Sequence, residues 1–103
     1  MSKKSFNERC YTLLRKVPIG KVTTYKSLAL ALNTKAYRAV GNAMNKNPYA
    51  PQVPCHRVIN SNGKLGGFAT GLNNKIKLLK EEGVEIKDNS IDLKKFEFKF
   101  NKF

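Results

Sequence analysis

Apolar residues recur at helical spacing through the first 45 positions, in three blocks separated by polar turns. Phe6, Cys10, Leu13, Leu14 and Val17 form one stripe of a helix that Ser5 and Glu8 open with capping-box spacing and that Pro18 and Gly20 end. The stripe makes Cys10 a core residue. Thr24 is placed to cap a second helix from Tyr25 to about Leu32, with Leu28, Ala31 and Leu32 on one face. Asn33-Thr34 breaks the pattern, and Thr34 is placed to cap a third helix from Lys35 to about Asn45. Two short helices joined by a tight polar turn outline a helix-turn-helix.

The third helix is lean. Ala36, Ala39, Gly41 and Ala43 leave its backbone lightly covered, and Gly41 costs about 1 kcal/mol of helix propensity relative to Ala, which points to a close approach by another surface. Packing against a neighbouring helix is the ordinary explanation. Arg38 lies on this helix with little around it.

The second half of the chain changes period. Pro48, Pro51 and Pro54 exclude a regular helix and make a rigid loop. Val58-Ile59 reads as a short strand, and Asn60-Ser61-Asn62-Gly63 is a turn that returns the chain through Leu65 as a hairpin. Gly66-Gly67-Phe68-Ala69-Thr70-Gly71 is a loop without the Gly-Lys-Ser/Thr ending of a phosphate-binding loop. Leu72, Ile76 and Leu79, with Leu78 alongside, mark a last helix that stops at Gly83. Glu81 and Glu82 sit at its C-terminal end, where the helix dipole disfavours negative charge; such a carboxylate is usually just solvated, and if a partner holds one of them His56 is the candidate. Phe96, Phe98 and Phe100 alternate as in an edge strand that docks on the body or stays loose.

Charge narrows the class of partner. The 103 residues make one domain with 41% hydrophobic residues and a formal charge of +13. Through residue 80 the only carboxylate is Glu8, against 15 basic residues, while the rest carries 6 acidic and 5 basic ones. A field of that sign attracts phosphate polymers, and nucleic acid is the natural partner. A membrane is not supported, for there is no long basic amphipathic helix and no apolar run near ~18 residues. The N-terminus lacks the apolar core of a secretory signal, so a reducing cytosol and free thiols are expected. Neither CxxC nor HxxxH occurs, so a zinc site is not expected.

The chemistry concentrates in Pro54-Cys55-His56-Arg57-Val58, where a thiol stands beside the only histidine. A thiol attacks as thiolate and needs a base or a positive environment. If the segment is extended, neighbours face opposite ways, and His56 reaches Cys55 through a water or across a bend. A buried, inert Cys55 and an ordinary surface His56 are the alternative.

These residues resemble a known family, the active-site domain of O6-alkylguanine-DNA alkyltransferases, also called methylated-DNA-protein-cysteine methyltransferases. Pro54-Cys-His-Arg-Val58 is similar to the family's signature, supported by Gly20-Lys-Val-Thr-Thr-Tyr25, Arg38-Ala-Val-Gly41, Asn47-Pro48, the Gly66-Gly67 loop and Leu78-Leu79 leading to Glu82-Gly83. The likeness spans roughly Val17 to Gly83 and leaves out the tail. It implies a mostly α, small winged-helix-like DNA-binding domain with a helix-turn-helix and a short β hairpin or wing, over 1–86, followed by a tail, 87–103.

The implied activity is a single-turnover transfer in which an alkylated guanine flips out of duplex DNA and gives its alkyl group to the protein's own cysteine. Carried over residue by residue, Cys55 is the acceptor, His56 its base through a water, Glu82 the carboxylate that orients the imidazole, and Asn47 the support of the turn. Tyr25 contacts the flipped base and the rotating phosphate, and Arg38 enters the stack the base has left. Thr24, Lys35, Ala36 and Arg57 complete the DNA-binding set. Tyr25, Val58, Gly66, Ala69 and Thr70 line the substrate pocket. Double-stranded DNA, met through the minor groove, is the implied partner. No cofactor and no metal are implied, and a monomer in the cytoplasm, or the nucleus of a eukaryote, is expected.

Three departures from the family pattern matter. The N-terminal domain common in relatives is not expected here. Ala69 and Thr70 stand where relatives often have Ser and Gly, which removes a donor and narrows the pocket, putting bulky adducts in more doubt than methyl. The short length also resembles alkyltransferase-like lesion sensors, but those carry tryptophan or alanine in place of the cysteine. A sensor that does not transfer is one alternative. A winged-helix transcription regulator is another, and it leaves the Pro54-Cys55-His56-Arg57 run unexplained.

Overall fold

The structure, a computed structural model, describes residues 5–49, 52–66 and 71–100. Its elements run α1 (Phe6–Leu14), β1 (Thr23–Thr24), α2 (Tyr25–Ala31), α3 (Tyr37–Asn45), a 3₁₀ turn (Cys55–Arg57), β2 (Val58–Ile59), α4 (Leu72–Glu81) and α5 (Leu93–Phe96). The first two caps form as the sequence requires: Ser5 accepts from Glu8 N, and Thr24 accepts from Ser27 N. Asn33 takes a left-handed conformation, φ 60°, just past α2, and Thr34 N donates back to the Ala29 carbonyl. Thr34 does not cap α3. Its hydroxyl accepts from Ala36 N one turn early, and α3 begins at Tyr37 with no side-chain cap.

Helices α1, α2 and α3 pack around Cys10, Leu14, Leu28, Val40 and Ala43, all fully buried. A second cluster joins Leu79 of α4 to Val22, Ile59, Leu65 and the tail residues Ile91 and Phe96. Two strands lie between them. They are parallel, with Thr23 opposite Val58 and Thr24 opposite Ile59, and alternation sends Val58 into the first cluster and Ile59 into the second.

That pairing changes the expected hairpin. The Asn60 to Gly63 turn forms, with Gly63 N donating to the Asn60 carbonyl and Asn60 N to the Lys64 carbonyl, both at 2.9 Å. The returning segment then meets the tail, since Leu65 N donates to Asn89 O and Ile91 N to Gly63 O. Gly63 is needed there: its φ is +88°, and a Cβ would lie 2.8 Å from the Ile91 carbonyl.

The tail docks, but not as one edge strand. Asp92 caps the short α5, and beyond it the backbone brackets Val22, which donates to Phe96 O and accepts from Phe98 N. Phe98 and Phe100 stack edge to face and pack against the first cluster. Among the described residues no helix is long and apolar enough to cross a membrane.

Candidate active site

Cys55 is held by a loop that its own side chains tie down. Asn47 Nδ2 donates to the Val53 carbonyl at 2.7 Å while its Oδ1 accepts from Tyr49 N, and Tyr49 is anchored to α1 through its hydroxyl on Glu8. Cys55 N donates to the same Val53 carbonyl, and Arg57 N to that of Pro54. These bonds wind Cys55–Arg57 into one 3₁₀ turn, so the expected extended segment is not formed. Cys55 is half-buried and His56 is buried.

His56 faces the end of α4. Its Nε2 lies 2.8 Å from Glu82 Oε2, and with the carboxylate ionised Nε2 carries the proton, which leaves the Nδ1 lone pair free to accept one. Burial lowers the His56 pKa below its ordinary 6.5, and the pull of Glu82 in the other direction does not overcome it. The ring is therefore neutral at neutral pH. Burial works against the Glu82 carboxylate as well, but hydrogen bonds from Arg57 and His56 outweigh it and hold its pKa below 4.5.

Arg57 turns inward. It was expected on DNA, yet its Nε and Nη2 clamp Glu82 at 2.8 and 2.7 Å and its Nη1 donates to the Val17 carbonyl at 2.8 Å, with 11% of its side chain exposed. The fork matches a carboxylate, and the ionised Glu82 at the end of α4 draws it inward. Val58 and Thr24 are also turned away from the surface. Val58 is fully buried in the core, and Thr24 spends its hydroxyl on Ser27 at the start of α2.

Lys75 was missed by the sequence reading. It is fully buried on α4, with Nζ donating to the carbonyls of Val58 and Leu65, each at 2.7 Å. Burial pushes its pKa down to about 8, and nearby Cys55 pulls the other way. The available signal was its place in the stripe: three residues after Leu72 and four before Leu79, helical period calls for an apolar residue. Leu72, expected on that stripe, is 37% exposed.

Between α2, α3 and the Asn60–Asn62 turn opens a hollow of about 690 Å³, lined by Tyr25, Lys26, Tyr37, Arg38, Gly41 and that turn. Cys55 does not line it. Tyr25 connects the two, since it lines the hollow and its pKa is raised by burial and then by Cys55. Lys35, Ala36 and Arg38 are exposed at the uncapped start of α3, whose first turn has no acidic residue. A Cβ built on Gly41 meets nothing within 4 Å, so packing inside the protein does not explain that glycine. Gly66 sits at φ +70° against the Asn60 side chain, and Ala69 and Thr70 lie outside the described residues. Among the described residues no group of three or more His, Cys, Asp or Glu is placed to hold a metal.

Comparison with known proteins fits this arrangement. Residues 5–84 match the family model for the DNA-binding domain of 6-O-methylguanine DNA methyltransferase, so the match takes in α1 as well as the segment from Val17. The methylated-DNA--protein-cysteine methyltransferase of Methanosarcina acetivorans is 51% identical over 79 residues, which are 76% of this chain and 51% of that protein. The chain thus spans about half the length of that relative, and 30% of the bifunctional methyltransferase/endonuclease of Picrophilus torridus, to which it is 45% identical. Mycobacterium tuberculosis OGT, solved in complex with DNA, superposes with a TM-score of 0.75 at 40% identity, over 80% of this chain and 51% of that one. S. pombe Atl1, in complex with damaged DNA containing O6-carboxymethylguanine, superposes with a TM-score of 0.82 at 32% identity, over 96% of this chain and 99% of that one. A Pro-Cys-His-Arg-Val turn wired to a helix-end glutamate, on a helix-turn-helix domain that the family model covers from α1 through α4, places this chain in the 6-O-methylguanine DNA methyltransferase family.

Proposed function

We propose that this protein repairs O6-alkylguanine in duplex DNA by one irreversible transfer of the alkyl group to Cys55. The observation that carries the reading is the wiring of the Cys55 turn: a neutral His56 held by Glu82, and a buried Lys75 near the thiol. A water between the Cys55 thiol and His56 Nδ1 passes the thiol proton to the ring. Glu82 stabilises the imidazolium that forms. The sulfur then attacks the alkyl carbon, a C–S bond forms as the C–O6 bond breaks, and the electron pair moves into the guanine ring, which takes up a proton at N1. The product thioether has no path back, so each molecule acts once.

The hollow supplies the approach. Extruding a base from duplex DNA costs a few kcal/mol, which a side chain filling the gap and a cationic grip on the backbone offset. Arg38 is the side chain for the gap, Lys35 and Ala36 meet the backbone at the bare start of α3, and Gly41 admits the floor of the minor groove. Tyr25 stands between hollow and thiol, where the flipped base arrives. Asn47 keeps the turn in shape, and Gly66 lies at the edge of the pocket for the base.

The test is the intact mass after incubation with a duplex containing O6-methylguanine: a gain of about 14 Da per chain, absent in Cys55→Ser, supports transfer. An intact, folded protein that binds the duplex and gains no mass is a lesion sensor instead. That second reading is favoured by the full-length likeness to Atl1. It leaves the thiol, the neutral imidazole and the buried lysine without a task.

A further inference from the structure

Residues 85–100 lie outside the stretch that the family model matches, yet they reach the corner of the fold that carries Tyr25. Val22 N donates to the Phe96 carbonyl at 2.9 Å and Phe98 N to the Val22 carbonyl at 2.7 Å, so Glu97 stands in register with Val22, three residues before Tyr25. Its side chain, 13% exposed, turns onto α2. There Ser27 Oγ donates to Glu97 Oε2 at 3.0 Å, Thr24 Oγ1 donates to Ser27 Oγ at 3.0 Å, and Thr24 Oγ1 in turn accepts from Ser27 N. One line of hydrogen bonds therefore runs from a tail carboxylate to the residue that precedes Tyr25.

The direction of the line matters. A serine hydroxyl that only accepted from Thr24 would leave its own proton without a fixed acceptor and would rotate. Glu97 takes that proton, which fixes the Ser27 rotor and, with it, the Thr24 side chain and the entry angle of α2. A hydrogen bond to an ionised acceptor is stronger than a neutral one, and this one is largely shielded from water. Lys99 approaches the other oxygen, Oε1, at 3.2 Å from the solvent side, being 82% exposed. A cleft of about 180 Å³ between α2 and the tail, lined by Ser27, Leu30, Ala31, Lys99 and Phe100, marks the seam along which the tail is applied.

We infer that Glu97 is a positioning residue for lesion recognition: through Ser27 and Thr24 it sets the Thr24–Tyr25 corner, and so the place of the Tyr25 ring between the hollow and Cys55. The inference rests on the reading of the hollow as the entrance for a flipped guanine. Undoing the line loosens Tyr25 without touching the α3 surface that grips the backbone. It therefore lowers affinity for the lesion while sparing affinity for plain duplex.

The experiment measures two dissociation constants, for a duplex with one O6-methylguanine and for the same duplex unmodified, in the full chain carrying Cys55→Ser so that binding is read without transfer. Glu97→Ala and Ser27→Ala each reduce the preference ratio about tenfold, the loss of one charge-assisted hydrogen bond, and the double variant loses no more than either alone. Glu97→Gln, whose amide oxygen still accepts from Ser27, restores most of the ratio, and Lys99→Ala leaves it as it was. A residue that only holds the fold together would lower the melting temperature with the ratio unchanged, and that result in Glu97→Ala or Ser27→Ala overturns the inference. Should Glu97→Ala fail to fold, Ser27→Ala and Glu97→Gln decide it alone. A parent chain with no preference for the lesion removes the proposed function and this inference together. A parent that shows the preference but whose Cys55 form gains no methyl group removes only the transfer step.

Discussion

Lys75 Nζ lies 2.7 Å from the carbonyl oxygen of Val58, three residues beyond Cys55, and so a buried cation is built into the strand that leaves the thiol. The same nitrogen reaches the Leu65 carbonyl at 2.7 Å, joining α4 to both arms of the Asn60–Gly63 turn. Its lowered pKa, about 8 against an ordinary 10.5, means that the unfolded chain binds more protons than the folded one between those values. Stability contributed at this position is therefore lowest below pH 8 and rises as pH climbs toward 10.5. Measured as the difference between the parent and Lys75→Met by denaturant unfolding, the stability gap should shift in favour of the parent by up to about 3 kcal/mol across that window. A gap that is flat with pH would contradict a protonated, desolvated Lys75.

His56 sets a limb on the acid side. Burial holds its pKa below 6.5, so the transfer rate at saturating methylated duplex should stay level down to that pH and fall only below it, as the imidazolium forms and can no longer accept a proton. His56→Gln should remove the limb and lower the plateau by about 10²-fold or more. Folding follows the same group, because below pH 6.5 the unfolded chain takes up the proton first and stability is lost with falling pH. A rate that declines already above 6.5 would mean that Glu82 overrides burial.

How much of this was legible depended on whether a residue's role follows from its own neighbours in sequence. The caps at Ser5 and Thr24 are local, and both helices begin where those residues put them. Glu82 was legible for a related reason, since a carboxylate at the C-terminal end of a helix is unfavourable without a partner, and His56 is that partner. Arg57 and Lys75 were not legible, because nothing local tells whether a long cationic side chain snorkels outward or turns onto an acceptor donated by a distant segment. The same holds for the strand after Cys55: Val58-Ile59 had the composition of a strand, but its parallel pairing with Thr23-Thr24 depends on a contact 35 residues away in register. The Phe96, Phe98, Phe100 alternation suggested one edge strand, and only the bracket around Val22 shows where it ends up.

Salt dependence separates the two arginines. Arg57 spends its donors on Glu82 and Val17, whereas Arg38 is exposed beside the hollow. The slope of log affinity for plain duplex against log salt should flatten by about 1 in Arg38→Ala and in Lys35→Ala. In Arg57→Gln the slope should hold while thermal stability drops, because Glu82 is left partly buried with only His56 beside it. An Arg57 variant that changes the slope would restore the expectation that this residue meets phosphate.

Thr23 carries a hydroxyl that the fold does not use. Its Oγ1 is buried with no hydrogen-bond partner among the described residues, on a strand whose neighbour in register is the fully buried Val58. A desolvated hydroxyl without a partner costs stability, and valine has the same branching and nearly the same shape. Thr23→Val should therefore raise the melting temperature, by about 1 kcal/mol or roughly 5 °C for a domain of this size, seen by circular dichroism. A decrease would indicate that the hydroxyl has a partner in solution.

Gly41 gives a prediction with opposite signs in two assays. In the interior of α3, replacing glycine with alanine favours the helix by about 1 kcal/mol, and the added Cβ has nothing within 4 Å to strike, so Gly41→Ala should stabilise the free protein. The same methyl group projects into the hollow flanked by Tyr25, Tyr37 and Arg38. If that face lies against the floor of a duplex groove, the duplex must back away, and affinity should fall by about tenfold. Thermal melting and DNA binding of this one variant then move apart, which neither general destabilisation nor a helix-packing role for the glycine can produce. Unchanged binding beside a higher melting temperature would show that DNA does not approach α3 at this point, and would move the contact to the Lys35–Arg38 end alone.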